Sequence, residues 1–246
     1  MSNFDVYGLD EREFHGREGT FLHKDYPGIK FLKSGFLKEW ADKLVGREIK
    51  TVLDIGALEG GDSLRFSSWY PGATVYSIEG SPNNFNVINK KLNGRNNIKT
   101  FNYVMSDKNE AVPFHGVSYT DFDHDGEMIM GSIYQYNDGH MAMHSHLRRS
   151  DPVMVESITF DRFCEVNNIT QVDVAHIDIE GATYNLALEM NKVLPKLIYT
   201  EQEAVHVFKD KNTGGNEALC QLLESKGYEQ IAFFGNDFLF KLKDSN

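Results

Sequence analysis

The stretch TVLDIGALEGGDS at residues 51–63, with ATVYSIE at 73–79 after it, constrains the fold more than any other part of the chain. A short apolar run reaches Asp54. Three glycines, Gly56, Gly60 and Gly61, then open a turn, and residues 61–70 suit a helix. A second apolar run ends in Glu79. Strand, glycine turn, helix, strand in this order is a βαβ unit, which requires a parallel sheet with its crossover helix on one face.

The alternation continues. Pro82 suits a first helical turn, and the helix it opens runs to about Leu92. Residues 97–105 read as a third strand. Helices near 159–167, 182–192 and 214–226 alternate with strands at 172–179 and 196–202. Two final strands, 228–234 and 237–243, join through Gly235-Asn236, a hairpin dipeptide. Ser106 to Pro152 reads as a long irregular stretch rich in Gly, Asp, His and Met, of the kind that is usually functional or mobile. Before Lys50, Phe36, Leu37, Trp40 and Leu44 recur at helical spacing, with Ser34 as the N-cap of a helix at about 35–46. The expected organisation is an N-terminal extension over 1–48 and one α/β domain over 49–246, with an insert at about 108–156. Within that insert, residues 121–151 are expected to close over a substrate.

Bulk properties exclude some roles. The net charge of −11 and the lack of a basic stripe disfavour a nucleic-acid partner. No apolar run is long enough for a membrane helix. MSNFDVYGLDEREF lacks the basic and apolar segments of a secretory signal. Cys164 and Cys220 are lone cysteines, which suits reduced thiols and a cytoplasmic protein. Oligomeric state is not legible.

The glycine turn excludes two ligand classes. The dinucleotide pattern G-x-G-x-x-G is broken by Leu58. Asp62 stands where a phosphate-binding loop needs lysine, and its charge would repel a phosphate. Glu79, 19 residues after Gly60, is placed to accept both hydrogen bonds of a ribose diol. A nucleoside with an amino-acid end and no phosphate chain is S-adenosylmethionine. Asp54 either fixes the turn through backbone N–H groups or reaches the ligand's ammonium. Ser106 and Asp107 end the third strand where the adenine amino group would lie, with Asp107 as acceptor. The candidate cofactor residues are Asp54, Gly56, Gly60, Glu79, Ser81, Ser106 and Asp107.

Four segments carry a family resemblance: VLDIGALEGGDS (52–63), YSIEGSPNNFNVI (76–88), YVMSD (103–107) and SITFDRFCEVNNITQVDVAHIDIEGA (157–182). They are similar to the FkbM-type family of class I methyltransferases, over about residues 50–203. Phe160-Asp161 and the run His176 to Gly181 hold the places of two family motifs, with His176 where a lysine is usual. The resemblance implies a Rossmann-like α/β fold: a seven-stranded, mostly parallel sheet in the order 3-2-1-4-5-7-6, with helices on both faces. It also implies transfer of a methyl group from S-adenosylmethionine to a hydroxyl of a sugar, glycan or polyketide. Some similar enzymes hold Mg2+ through carboxylates, which would make Asp178 and Glu203 the metal ligands here. A sugar or glycan hydroxyl is the expected acceptor; the alternatives are a methyltransferase acting on a polyketide or other small secondary metabolite, or on nitrogen, and a catalytically inert module that binds the same cofactor.

Methylating a hydroxyl needs a base near the acceptor. In an open parallel sheet, ligands sit at the carboxyl ends of strands, where Asp178 and Glu180 end one strand and Glu201 and Glu203 the next. The histidines His140, His144, His146, His176 and His206 are the other candidates. The expected catalytic residues are Asp178, His144 and His140. Three histidines within residues 140–146 read as a metal site, as acceptor contacts or as a polar loop. Arg148 and Arg149 either read an anionic acceptor or are solvated. Met130, Met141, Met143, Met154, Tyr134 and Tyr136 either line an acceptor pocket or fill the core.

Overall fold

The computed structural model describes residues 20–23, 26–32, 38–120, 130–234 and 237–243. Its main sheet has nine strands: β1 (Thr20–His23), β2 (Tyr26–Leu32), β3 (Thr51–Ile55), β4 (Thr74–Ile78), β5 (Ile98–Phe101), β11 (Val174–Ile177), β12 (Leu197–Glu201), β13 (Tyr228–Phe234) and β14 (Asp237–Leu242). Across the sheet they run β1-β2-β13-β14-β12-β11-β3-β4-β5. The pairs from β5 through β12 are parallel, and β14 runs antiparallel to both neighbours.

Period-two alternation sends successive strand residues to opposite faces. Leu53, Ile55, Ala175, Ile177 and Ile198 face one side. There they meet Phe160 and Phe163 of α5 (Phe160–Val166), Leu186 of α6 (Thr183–Leu188), and Leu219 and Leu223 of α7 (Asn216–Ser225). Val52, Val75, Val174 and Leu197 face the other side, against Ala41 of α1 (Lys38–Val45) and Phe66 of α2 (Gly61–Trp69). Helices therefore cover both faces. Each of these fully buried side chains is worth about 1.5–3 kcal/mol relative to exposure. A third crossover helix, α3 (Pro82–Lys91), follows β4. At the amino ends of the strands, Asp173 pairs with Arg47 and accepts the Lys50 and Thr51 N–H groups at 2.7 and 3.0 Å, tying β3 to β11.

Two features differ from the sequence reading. The N-terminal segment does not stand apart as a helical extension. Its strand β2 pairs in parallel with β13 and antiparallel with β1 beyond it. An edge strand leaves a row of backbone groups unpaired, and a further strand satisfies them. The expected helix is present from Lys38, while its proposed cap and Phe36 and Leu37 lie outside the described residues, as does the Gly235-Asn236 turn.

The stretch read as irregular is a second sheet. It contains β6 (Val104–Met105), β7 (Ala111–Tyr119), β8 (Met130–Ser132), β9 (Leu147–Arg149) and β10 (Val153–Ile158), in the order β6-β10-β7-β8 with β9 also on β7. One short helix, α4 (Asp138–Met143), interrupts it. Its inner face buries Val104, Val112, Phe114 and Val155. Val112 and Phe114 alternate with Ala111 and Pro113, a strand pattern that the surrounding glycines, aspartates and histidines obscure. The insert's first part, residues 121–129, lies outside the described residues.

Candidate active site

A cleft opens at the carboxyl ends of β3, β4 and β11, roofed by the second sheet, with about 630 Å³ of unfilled space. Gly56, Leu58, Glu79 and Gly80 form one wall. Asp178, Ile179 and Glu180 form another, and Tyr103, Val104, Met105, Phe114 and residues 130–133 complete it.

The glycine turn is built by close approach. Gly56 has φ 87°, and a Cβ there would stand 1.8 Å from the Asp178 carbonyl oxygen. Only glycine admits β11 this close. The N–H groups of Gly56 and Ala57 both donate to the Ile78 carbonyl, at 2.9 and 3.0 Å. Leu58 follows at φ 50°, a left-handed conformation unusual for a leucine, and donates its N–H to Glu79 Oε2 at 2.8 Å. Glu79 Oε1 accepts the Ser81 N–H at 2.7 Å. Each Glu79 oxygen therefore keeps a lone pair for a ligand. Burial raises the Glu79 carboxyl to about 7, against the pull of the two N–H groups.

Several residues expected to touch the cofactor instead hold the walls. Asp54 is fully buried, faces α2, and accepts the Ser63 hydroxyl and, at 2.7 Å, pairs with His176 Nδ1. It reaches neither turn N–H groups nor the cleft. Its side chain shares a sheet face with Val52, away from the ligand side. Burial alone would push His176 down, but the hydrogen bond and charge of Asp54 outweigh it and raise the imidazole. Gly60, at φ 78°, caps α2 against Leu92 and is not on the cleft wall. The Ser81 hydroxyl caps α3 by accepting the Asn84 N–H. Ser106 binds Ser157 at 2.7 Å between β6 and β10. Asp107 is half-buried beyond the cleft lining.

Past the ends of β11 and β12, Asp178, Glu180 and Glu201 bring one oxygen each within 4.8 Å of one another. Among the described residues no other group of three His, Cys, Asp or Glu converges in this way. Asp178 is exposed to the cleft yet flanked by protein on most sides. Burial, with Asp54 and Asp62, holds its carboxyl above the usual range, while His176 pulls it down. Burial and the neighbouring acids raise Glu180 to about 7 and Glu201 to about 9. Like charges this close cannot all ionise cheaply. Glu180 sits at φ 50° before Gly181 at φ 81°. The insert holds this strained corner: Ser132 donates to the Glu180 carbonyl and Tyr136 to its carboxylate, both at 2.7 Å.

The expected Asp178–Glu203 metal pair does not form. Glu203 lies beyond β12, where strand alternation no longer applies, and its carboxylate pairs with buried Lys211 and accepts the Tyr184 N–H at 2.7 Å. An ammonium already fills the place of a cation there. The histidines are also displaced from the cleft. His140 stacks on Tyr136 at 5.0 Å and packs at a tilt against His144 at 4.6 Å, but neither histidine lines the cavity. His140 reaches the acids only through Tyr136. Arg149 is held by the Tyr136 carbonyl and Asp138, and Arg148 by Ser118. Sequence reasoning passed over Phe114, Ser132 and Lys211. The alternation around Phe114 was the one available signal.

The methyltransferase FkbM domain model matches residues 54–229. The chain belongs to this family. It is a methyltransferase, and S-adenosylmethionine is the methyl donor of such domains. The chain is 28% identical over 185 residues to the 2-O-methyltransferase NoeI of Sinorhizobium fredii, covering 74% of each. Among solved structures it resembles the fibrillarin pre-rRNA processing protein of Methanococcus jannaschii, at 12% identity and a TM-score of 0.45 over 96% of this chain and 87% of that one. A caffeoyl-CoA O-methyltransferase-like protein of Staphylococcus aureus matches at 12% identity and 0.45, over 84% and 80%. No helix among the described residues is long and apolar enough to cross a membrane.

Proposed function

We propose that this methyltransferase transfers the methyl group of S-adenosylmethionine to a hydroxyl of a sugar or glycan. The observation that carries the reading is the single cleft. Glu79 and the Gly56 turn stand on one wall, and Asp178 with its two acidic neighbours on the next. Glu79 takes the ribose diol, and the backbone from Gly56 to Leu58 meets the cofactor's amino-acid end. Asp54, Gly60, Ser81 and Ser106 serve by holding the walls. A hydroxyl O–C bond forms as the sulfonium C–S bond breaks, leaving a neutral thioether. Asp178 accepts the hydroxyl proton as the methyl arrives. Kinship with a 2-O-methyltransferase favours oxygen as the acceptor atom.

The test is incubation with isotope-labelled S-adenosylmethionine and a panel of nucleotide sugars and neutral oligosaccharides, read by mass. Methyl transfer to a saccharide is expected, and Asp178→Asn should lower turnover by roughly 10²–10⁴ with cofactor affinity unchanged. Near-normal turnover in that variant would remove Asp178 as the base. An EDTA arm separates proton removal by a free carboxylate, which survives chelation, from a metal held by the three acids, which does not. Transfer only to polyketide or amine acceptors would overturn the saccharide assignment.

A further inference from the structure

The ring of Phe114, in β7, stands in the cleft wall beside Glu79 and Gly80. Two glycines make room for it. A Cβ on Gly80 would lie 3.0 Å from the ring's Cε2 and 2.9 Å from Val104 Cγ2. A Cβ on Gly131, in the adjacent strand β8, would lie 2.2 Å from Cζ and 2.5 Å from Cε1. Neither glycine has a positive φ. The backbone does not ask for glycine at either position; the ring does. The chain omits two side chains, one just past β4 and one in β8, to seat one aromatic ring at this spot.

Resting on the cofactor reading above, we propose that Phe114 is the apolar wall against which the adenine of S-adenosylmethionine packs. The position follows from connectivity. A ribose held by Glu79 carries its base a few ångströms away, and the wall next to Glu79 is the Gly80 backbone with Phe114 on it. The other side chains there, Tyr103, Val104 and Met105, are aromatic or apolar. Asp107, expected to meet the base, does not line the cleft. Recognition of the base is therefore carried by contact with an aromatic face or edge, which suits any purine π-system. The second sheet becomes part of the cofactor site.

Calorimetry on the full chain tests this with two ligands, S-adenosylhomocysteine and 5′-methylthioadenosine. The second keeps adenine and ribose and lacks the amino-acid end. Phe114→Ala is expected to weaken both by the same factor, about ten- to a hundredfold. Phe114→Leu keeps apolar bulk and should lose about three- to tenfold, with a single cooperative melt and wild-type far-ultraviolet circular dichroism showing that the second sheet still folds. Val112→Ala removes bulk from the same small core without touching the cleft, and should leave both affinities within about twofold. Wild-type affinity in both Phe114 variants would overturn the proposal. So would an equal loss in Val112→Ala, or a loss confined to S-adenosylhomocysteine. Failure of the wild-type chain to bind either ligand would instead sink the cofactor reading beneath it.

Discussion

In the proposed reading Glu79 is the ribose-binding group, and its backbone partners fix it in place. Both its oxygens already accept a backbone N–H, from Leu58 and Ser81, so the carboxylate cannot rotate away from the cleft. A ribose diol would add one hydrogen bond to each oxygen, and Glu79→Ala should weaken S-adenosylhomocysteine by about 1–3 kcal/mol. Unchanged affinity by calorimetry would reject the ribose assignment. The raised carboxyl, at about 7, adds a pH signature. The ionised form is the better acceptor, so affinity should fall as pH drops from 8 to 6, and that fall should vanish in Glu79→Gln. Glu79 and Gly56 were legible in the sequence because their positions follow from strand ends and local turn geometry. The work of Asp54 was not. Its partner His176 is 122 residues away, and only the pairing of β3 with β11 brings the two together. Tyr136 and Ser132 reach Glu180 across 44 and 48 residues, through an insert whose fold the sequence hid.

Within one element, the turn from Ile55 to α2, three glycines should behave in three ways. Gly56→Ala puts a methyl into the Asp178 carbonyl at a left-handed φ, and should abolish soluble folding or cofactor binding. Gly60→Ala meets Leu92 at 3.1 Å and also carries a positive φ, so it should destabilise by more than about 1 kcal/mol without closing the cleft. Gly61 has open space and ordinary φ at the start of a helix, so Gly61→Ala should be neutral or stabilising by up to about 1 kcal/mol. Chemical denaturation orders the three, and a Gly61 variant as damaged as Gly56 would show that the turn is read wrongly. At this scale the sequence spoke clearly where hydrophobic periodicity was undiluted. Helices α2, α3 and α7 and strands β3, β4, β12 and β13 fall within two residues of their expected bounds. It failed for β7 to β10. β8 and β9 have three residues each, and polar or glycine residues interrupt the apolar positions of the longer β7 and β10, so periodicity could not outweigh a loop-like composition.

The whole molecule is two sheets meeting over one cleft, with acids gathered at the seam. Asp178, Glu180 and Glu201 come from the ends of two parallel strands and stand close enough for their charges to repel. Burial and neighbouring acids hold Glu180 at about 7 and Glu201 at about 9, and burial holds Glu79, on the facing wall, at about 7. Each lies above its unfolded value of roughly 4.3. A carboxyl raised in the folded state binds more protons folded than unfolded, so its contribution to stability is full below the unfolded value and is lost as pH rises through the folded one. The unliganded protein should therefore melt at progressively lower temperature between about pH 5 and pH 9. Glu201→Gln removes the highest of the three and should raise the melting temperature at pH 8 by a few degrees, while changing it little at pH 5. The sulfonium of the cofactor brings a positive charge to the same seam. Its stabilising effect in the wild type should accordingly grow with pH as the acids ionise, more than that of the neutral thioether product. Melting curves of the free, S-adenosylmethionine-bound and S-adenosylhomocysteine-bound protein across that range measure both slopes. A melting temperature for the free protein that is flat or rises from pH 6 to 9 would mean that the three acids do not share protons as their packing requires.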